Sequence, residues 1–348
     1  WVARGSVGPL PVHGCVPSAS PACFLLPFPA LVSPPINGAR RWVRLPAGMN
    51  IQPSEFAKVA IVLFLARFLS MRTRQIETEP FWKVFVPGGL CCGAVIGMVL
   101  AGEDLGTTCL LSAVFLILMY VAGIRWHWIV GPVAIGVPLI YFYIREFDPM
   151  RLARLNTFLD PEPVSEGAGY QLWHSMLALG SGNWFGLGFT QSRMKLKYLP
   201  EDNTDFILAI AGEELGFVMI LGVIVAYLIL LATGLRISCK ARSRQGMLIA
   251  FGMTAFMSLQ AMINIGVICA AFPTKGMPAP MISYGGSNLV ACLAAVGCIA
   301  SVALETWRPD YPDDLRRWFL SKLPFAGKRK TKDEESESED FERKGETE

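Results

Sequence analysis

The sequence predicts an all-α fold, a polytopic transmembrane helix bundle with a long structured extracytoplasmic loop, and three observations predict it. Hydrophobic residues make up 53% of the 348 and charged residues only 17%, where soluble domains average about 25% charged. Apolar stretches of about 17 to 25 residues, the length that crosses a bilayer, recur along the chain. The short connections between them alternate between base-rich and base-poor, as membrane topology requires. The net charge of +3 says nothing about nucleic acid, which is not expected as a partner.

The elements follow in order. Residues 1 to 35 are proline-rich and begin at Trp1, and their apolar run from Ala22 to Ser33 is too short to span a bilayer. This segment is expected to be a truncated or mistranslated N-terminus, and no signal peptide is legible in it. Residues 36 to 308 form the membrane domain, with helices expected at 54–70, 84–101, 107–124, 127–144, 206–233, 246–271 and 288–305. They are helices because hydrocarbon offers no water to an open sheet edge. The spacings Gly93–Gly97 and Gly212–Gly216 permit close helix contact, although such spacings also arise by chance. Cys91, Cys92, Cys109, Cys269, Cys292 and Cys298 lie in apolar runs without metal-ligand spacing and read as packing residues.

Orientation follows from the bases. Arg67 lies near the end of the first span and Arg72, Arg74 and Lys83 follow it, Arg125 separates the third and fourth, and Arg236, Lys240, Arg242 and Arg244 follow the fifth. The connection at Glu103 and Asp104 has none. Basic connections face the cytoplasm, which puts 145–205 and 272–287 outside and the C-terminus inside. Residues 309 to 348, with Lys328-Arg329-Lys330 ahead of a run of acids and serines, are expected to be a disordered cytoplasmic tail.

The outer segment 145–205 is too long for a passive connection. Its Tyr170, Trp173, Trp184, Phe185 and Tyr198 argue that it folds against the membrane surface, with Tyr170 to Leu179 as an interfacial helix. It runs directly into the fifth span, which carries Glu213 and Glu214. At about 100° per residue these two acids cannot both serve one face, so one is expected to brace a neighbouring helix. At the start of the first span, Glu55 follows Pro53 and complements the helix dipole. Lys58 opposes that dipole and calls for a partner, and ionisable residues inside a membrane are functional suspects. Lys275 and the turn Ser283-Tyr284-Gly285-Gly286 lie in the second outer loop. The glycines there let backbone amides approach a phosphate, or simply make a turn.

A series of blocks carries a family resemblance. It comprises Asn37-Gly-Ala-Arg40-Arg-Trp42, Gln52-Pro-Ser-Glu55-Phe-Ala-Lys58, Asp104-Leu-Gly-Thr107 and Gly167-Ala-Gly-Tyr-Gln171. It continues through Gln191-Ser-Arg-Met-Lys195, Tyr198-Leu-Pro-Glu201, Thr204-Asp205-Phe206, Gly212-Glu-Glu-Leu-Gly216, Pro273-Thr-Lys275-Gly276 and Ser283-Tyr-Gly-Gly286. In this order, across residues 36 to about 308, the chain resembles the SEDS family, the FtsW-, RodA- and SpoVE-like peptidoglycan glycosyltransferases. Lys195, Gly212 and Pro273 to Gly276 resemble the division-type FtsW branch rather than RodA. The family usually has histidine where Asn203 stands, glutamine at His174 and a second serine at Asn288. Its ten membrane helices imply three more ahead of those counted here.

The resemblance implies an enzyme that polymerises lipid II, the undecaprenyl-diphosphate-linked disaccharide-pentapeptide, in septal wall synthesis during cell division. It implies a place in the inner membrane at the septum, beside a class B penicillin-binding transpeptidase and other division proteins. Asp205 matches the catalytic aspartate. Lys195, Glu55, Lys58, Arg40, Glu201, Lys275 and Ser283 are expected to bind substrate. The reaction removes a proton from an acceptor hydroxyl while a diphosphate leaves the donor sugar, and a carboxylate can be the base. An Asp titrates near 3.9; burial beside Phe206 raises that value and a helix N-terminus lowers it. Thr204 and Asp205 also suit a plain helix start. Arg193, Lys195 and Lys197 are cations suited to a diphosphate, although Arg193 and Lys197 read better as ordinary outer-surface charge. No metal site of the protein is expected, but a Mg or Mn ion carried by the substrate diphosphate is. A lipid II flippase and a non-catalytic division scaffold are the rival readings.

Overall fold

The structure is a computed structural model that describes residues 42–44, 50–73, 76, 82–147, 169–195, 204–273 and 276–307. Within them a short antiparallel ladder pairs β1 (Val43–Arg44) with β2 (Asn50–Ile51). Eight helices follow: α1 (Pro53–Met71), α2 (Trp82–Ala101), α3 (Leu105–Val121), α4 (Trp126–Phe147), α5 (Tyr170–Ser181), α6 (Ile207–Lys240), α7 (Arg244–Ile268) and α8 (Gly286–Trp307). Every span expected from hydropathy coincides with one of them, and the helix expected from Tyr170 to Leu179 is α5.

Local chemistry sets the ends. Pro53 opens α1, where its missing N–H is no loss, and Glu55 lies in the first turn. The Asp104 carboxylate caps α3 by accepting from the Thr107 amide at 3.1 Å, and the Ser243 hydroxyl caps α7 by accepting from Gly246 N at 3.0 Å. Among the described residues, α6, α7 and α8 are long and apolar enough to cross a membrane. Shorter apolar stretches run from Val86 to Ala101, Leu105 to Val121 and Trp128 to Leu139.

Helix α7 is the hub, packed against α1, α3, α5, α6 and α8. The main core joins Ile61 and Leu65 of α1, Val114 and Leu118 of α3, Met253 and Phe256 of α7, and Ala295 and Ile299 of α8. Phe206, Leu208, Val267, Ile268, Ala178 and Ala279 form a second cluster where α6 begins and α7 ends. In lipid such contacts hold by close packing and polar bonds, since apolar surface gains nothing by leaving the hydrocarbon. Accordingly α6 leaves Leu221, Val225, Leu228 and Ile229 exposed along its outer face.

One of the two glycine spacings is a contact. Around Gly93 and Gly97 a β-carbon would meet nothing within 4 Å, so that pair faces outward. Gly212 and Gly216 instead lie against the loop after α5. At Gly216 the helix α6 is interrupted, with φ 80° and ψ −177°, a conformation open only to glycine. The loop completes the break. Leu187 N and Gly188 N donate to the Glu213 and Glu214 carbonyls at 2.9 and 3.0 Å, while Phe217 N and Val218 N donate to Asn183 O and Trp184 O at 2.9 and 3.3 Å. The backbone groups freed by the break are thereby satisfied, as an apolar environment demands.

Candidate active site

Asp205 lies one residue ahead of the buried Phe206, which leads into α6, and is itself partly exposed. Its surroundings are built from α7 and the 276–283 loop. Asn264 of α7, buried, donates from Nδ2 to the Asp205 carbonyl at 2.9 Å and to Met277 O at 2.8 Å. Ser283 Oγ accepts from Ala279 N at 2.7 Å and donates to Thr204 O at 2.6 Å. The carboxylate lies against Gly276, where a β-carbon would stand 2.9 Å from Oδ2. Ser283, expected to bind substrate, thus ties the loop to the residue preceding the acid.

A turn deeper on the same face of α7, Gln260 donates from Nε2 to Pro278 O at 2.8 Å and to Asn288 Oδ1 at 3.1 Å. Its Oε1 accepts from Lys58 Nζ at 2.7 Å, and that ammonium pairs with Glu55 at 2.8 Å. The partner Lys58 calls for is therefore Glu55, with Gln260 completing the contact. Both charges are sealed in, with exposures of 2% for Glu55 and 1% for Lys58. Asn288, one of the three departures from the family pattern, enters this network. His174, another, places Nδ1 2.9 Å from Tyr170 O and stacks on the Tyr170 ring.

Beside it, Asp104 accepts from Gln52 Nε2 and Ser54 Oγ, each at 3.2 Å. Ser287 of α8 accepts from Gln52 N at 3.0 Å. These bonds fix the start of α1 against α3 and α8.

The expectation that one of Glu213 and Glu214 braces a neighbouring helix is corrected. Glu213 accepts from Ser192 Oγ at 2.5 Å, Arg193 N at 3.1 Å and Met194 N at 3.4 Å. Glu214 pairs with Lys195 Nζ at 2.8 Å. Both acids therefore hold the 192–195 segment rather than a helix, because that segment crosses α6 and reaches side chains that point apart. Lys195 keeps its side chain 41% exposed, so its ammonium is paired yet open to solvent. Arg40, Glu201, Lys275 and Asn203 lie outside the described residues. Gln260 and Asn264 were missed from sequence. Their signal was two amides four positions apart, hence on one face, in an otherwise apolar span.

Among the described residues no three His, Cys, Asp or Glu side chains are grouped to hold a metal ion. Beside a buried polar network the arrangement presents a partly exposed residue, Asp205. Its backbone on either side is held by side chains, and this suits an acid that must keep one orientation.

Comparison with known proteins identifies the class. A family model described as cell cycle protein, spanning FtsW, RodA and SpoVE, matches residues 20–307. The probable peptidoglycan glycosyltransferase FtsW of Geobacter sp. strain M18 is 37% identical over 280 residues, covering 80% of this chain and 75% of that protein. Stage V sporulation protein E of Bacillus subtilis strain 168 is 38% identical over 268 residues, covering 77% of this chain and 72% of that protein. Among solved structures, one describing how a peptidoglycan synthase complex coordinates polymerization and crosslinking is similar with a TM-score of 0.70 and 27% identity, over 85% of this chain and 83% of that one. The crystal structure of Thermus thermophilus rod shape determining protein RodA is similar with a TM-score of 0.61 and 26% identity, over 86% and 82% of the two chains. The chain belongs to the FtsW/RodA/SpoVE family of membrane-embedded cell cycle proteins.

Proposed function

We propose that this protein is a peptidoglycan glycosyltransferase that polymerises lipid II into glycan strands during septal wall synthesis, with Asp205 as general base. The observation that carries the reading is the placement of Asp205. It is a partly exposed carboxylate whose own carbonyl is bonded to Asn264 at 2.9 Å and whose Oδ2 abuts Gly276. The family membership and the relatives named peptidoglycan glycosyltransferase support it.

In the proposed step the acceptor sugar hydroxyl gives its proton to the Asp205 carboxylate as its oxygen attacks the anomeric carbon of the donor. The bond from that carbon to the diphosphate breaks, and undecaprenyl diphosphate leaves with the electron pair. The leaving diphosphate needs cationic partners, and Lys195, Arg40 and Lys275 are assigned to it. A Mg or Mn ion travelling with the diphosphate would add a further positive charge. Glu201 is assigned to the substrate as well, while Ser283, buried with its hydroxyl spent on Thr204 O and Ala279 N, acts by holding the loop beside Asp205 rather than by touching substrate. Glu55 and Lys58 act from beneath the site.

Asp205 faces the outer surface of the plasma membrane, and the C-terminus faces the cytoplasm. A class B penicillin-binding transpeptidase is the proposed partner. It is supported by the similarity to a synthase complex in which polymerization and crosslinking are coordinated.

The test pairs two assays on the purified protein in proteoliposomes. Incubation with lipid II is expected to yield glycan chains longer than the disaccharide, resolved by gel. Lipid II translocation without any such product would make the protein a flippase instead, and neither product would leave the scaffold.

A further inference from the structure

We infer that Asn264 is a positioning residue for the Asp205 carboxylate, and that Gln260 ties the Glu55–Lys58 ion pair to the same loop. The inference rests on the proposed role of Asp205 and assigns how that side chain is held. Asn264 has two amide N–H donors and spends them on two segments far apart in the chain, Asp205 O at 2.9 Å and Met277 O at 2.8 Å. Gln260 does the same one turn away, reaching Pro278 O at 2.8 Å. The successive carbonyls of Met277 and Pro278 are thus held by two successive polar residues on one face of α7.

The rest of the loop is pinned in the same manner. Tyr227 of α6 donates to Pro280 O at 2.8 Å, and Ser283 bonds both Ala279 N and Thr204 O. The carbonyls of Thr204 and Asp205, which fix the peptide planes on either side of the acid, are therefore each bonded to a side chain. With the planes fixed, the Cα–Cβ direction of Asp205 is fixed, and Gly276 closes one side of its carboxylate. Among the described residues Lys58 reaches this clamp through Gln260, at 2.7 Å, so the buried ion pair supports the acid through the amide.

A purely structural amide would also satisfy these buried carbonyls. The two roles part in kinetics. Displacing a reacting group by about 1 Å costs up to roughly a hundredfold in rate, while substrate binding by other residues is untouched.

The experiment compares Asn264→Leu and the isosteric Asn264→Asp with wild type and Asp205→Asn, all full chains in detergent with lipid II. Wherever the variant folds, kcat is expected to fall roughly ten- to a hundredfold with KM within about twofold. Hydrogen exchange of the 276–283 segment should accelerate in parallel. Wild-type kcat in a folded Asn264 variant, a change confined to KM, or loss of fold in both variants would overturn the inference. An active Asp205→Asn would instead overturn the assignment of the base. An inactive Asp205→Asn beside fully active Asn264 variants would sink only the positioning role.

Discussion

Gly276 leaves the Asp205 carboxylate its place: a β-carbon on that glycine would stand 2.9 Å from Asp205 Oδ2. The neighbour is the tip of a side chain rather than backbone, so a methyl group displaces the acid without straining the fold. Gly276→Ala is therefore expected to change stability by less than about 0.5 kcal/mol while lowering lipid II polymerisation roughly tenfold or more. Steady-state rates beside a thermal melt check both halves.

Gly216 is the opposite case. Its φ of 80° excludes other residues, and a β-carbon would collide with Gly186 N and Trp184 O, which are backbone. Gly216→Ala should break the join between α6 and the 183–188 loop and cost about 3 kcal/mol or more. Yield of monodisperse protein and its melting temperature should both drop.

Lys58 and Glu55 are each nearly inaccessible and 2.8 Å apart. Lys58→Met strands a buried carboxylate and should destabilise by roughly 3 to 5 kcal/mol. The double variant Glu55→Gln, Lys58→Met should recover part of that loss. Thermal unfolding of the two singles and the double gives the coupling.

Glu213 gathers Ser192, Arg193 and Met194 onto α6. Glu213→Gln gives up the charge behind three bonds, each worth about 1.5 to 3 kcal/mol to a charged acceptor. The Arg193 and Met194 amides should then exchange with solvent faster than in wild type, and hydrogen-exchange mass spectrometry reads this directly.

Hydropathy made the helices legible because lipid selects long apolar runs, and each expected span lies on a helix. Boundaries were less legible. The fifth span was expected to stop at 233, yet α6 continues to Lys240, because a helix can run past the hydrocarbon where hydropathy falls. The break at Gly216 was not legible, because glycine is common inside membrane helices, and only the partner loop reveals why glycine is needed. Asp205, Lys195 and Ser283 stood out through the family blocks. Gln260 and Asn264 did not, since isolated amides in an apolar span show their purpose only when the carbonyls they meet are known.

The central claim is that one carboxylate takes the acceptor proton. Purified full-length protein carrying Asp205→Asn, matched to wild type for folding and for lipid II binding, should form no glycan above background. Polymer made at the wild-type rate by that variant would contradict the account.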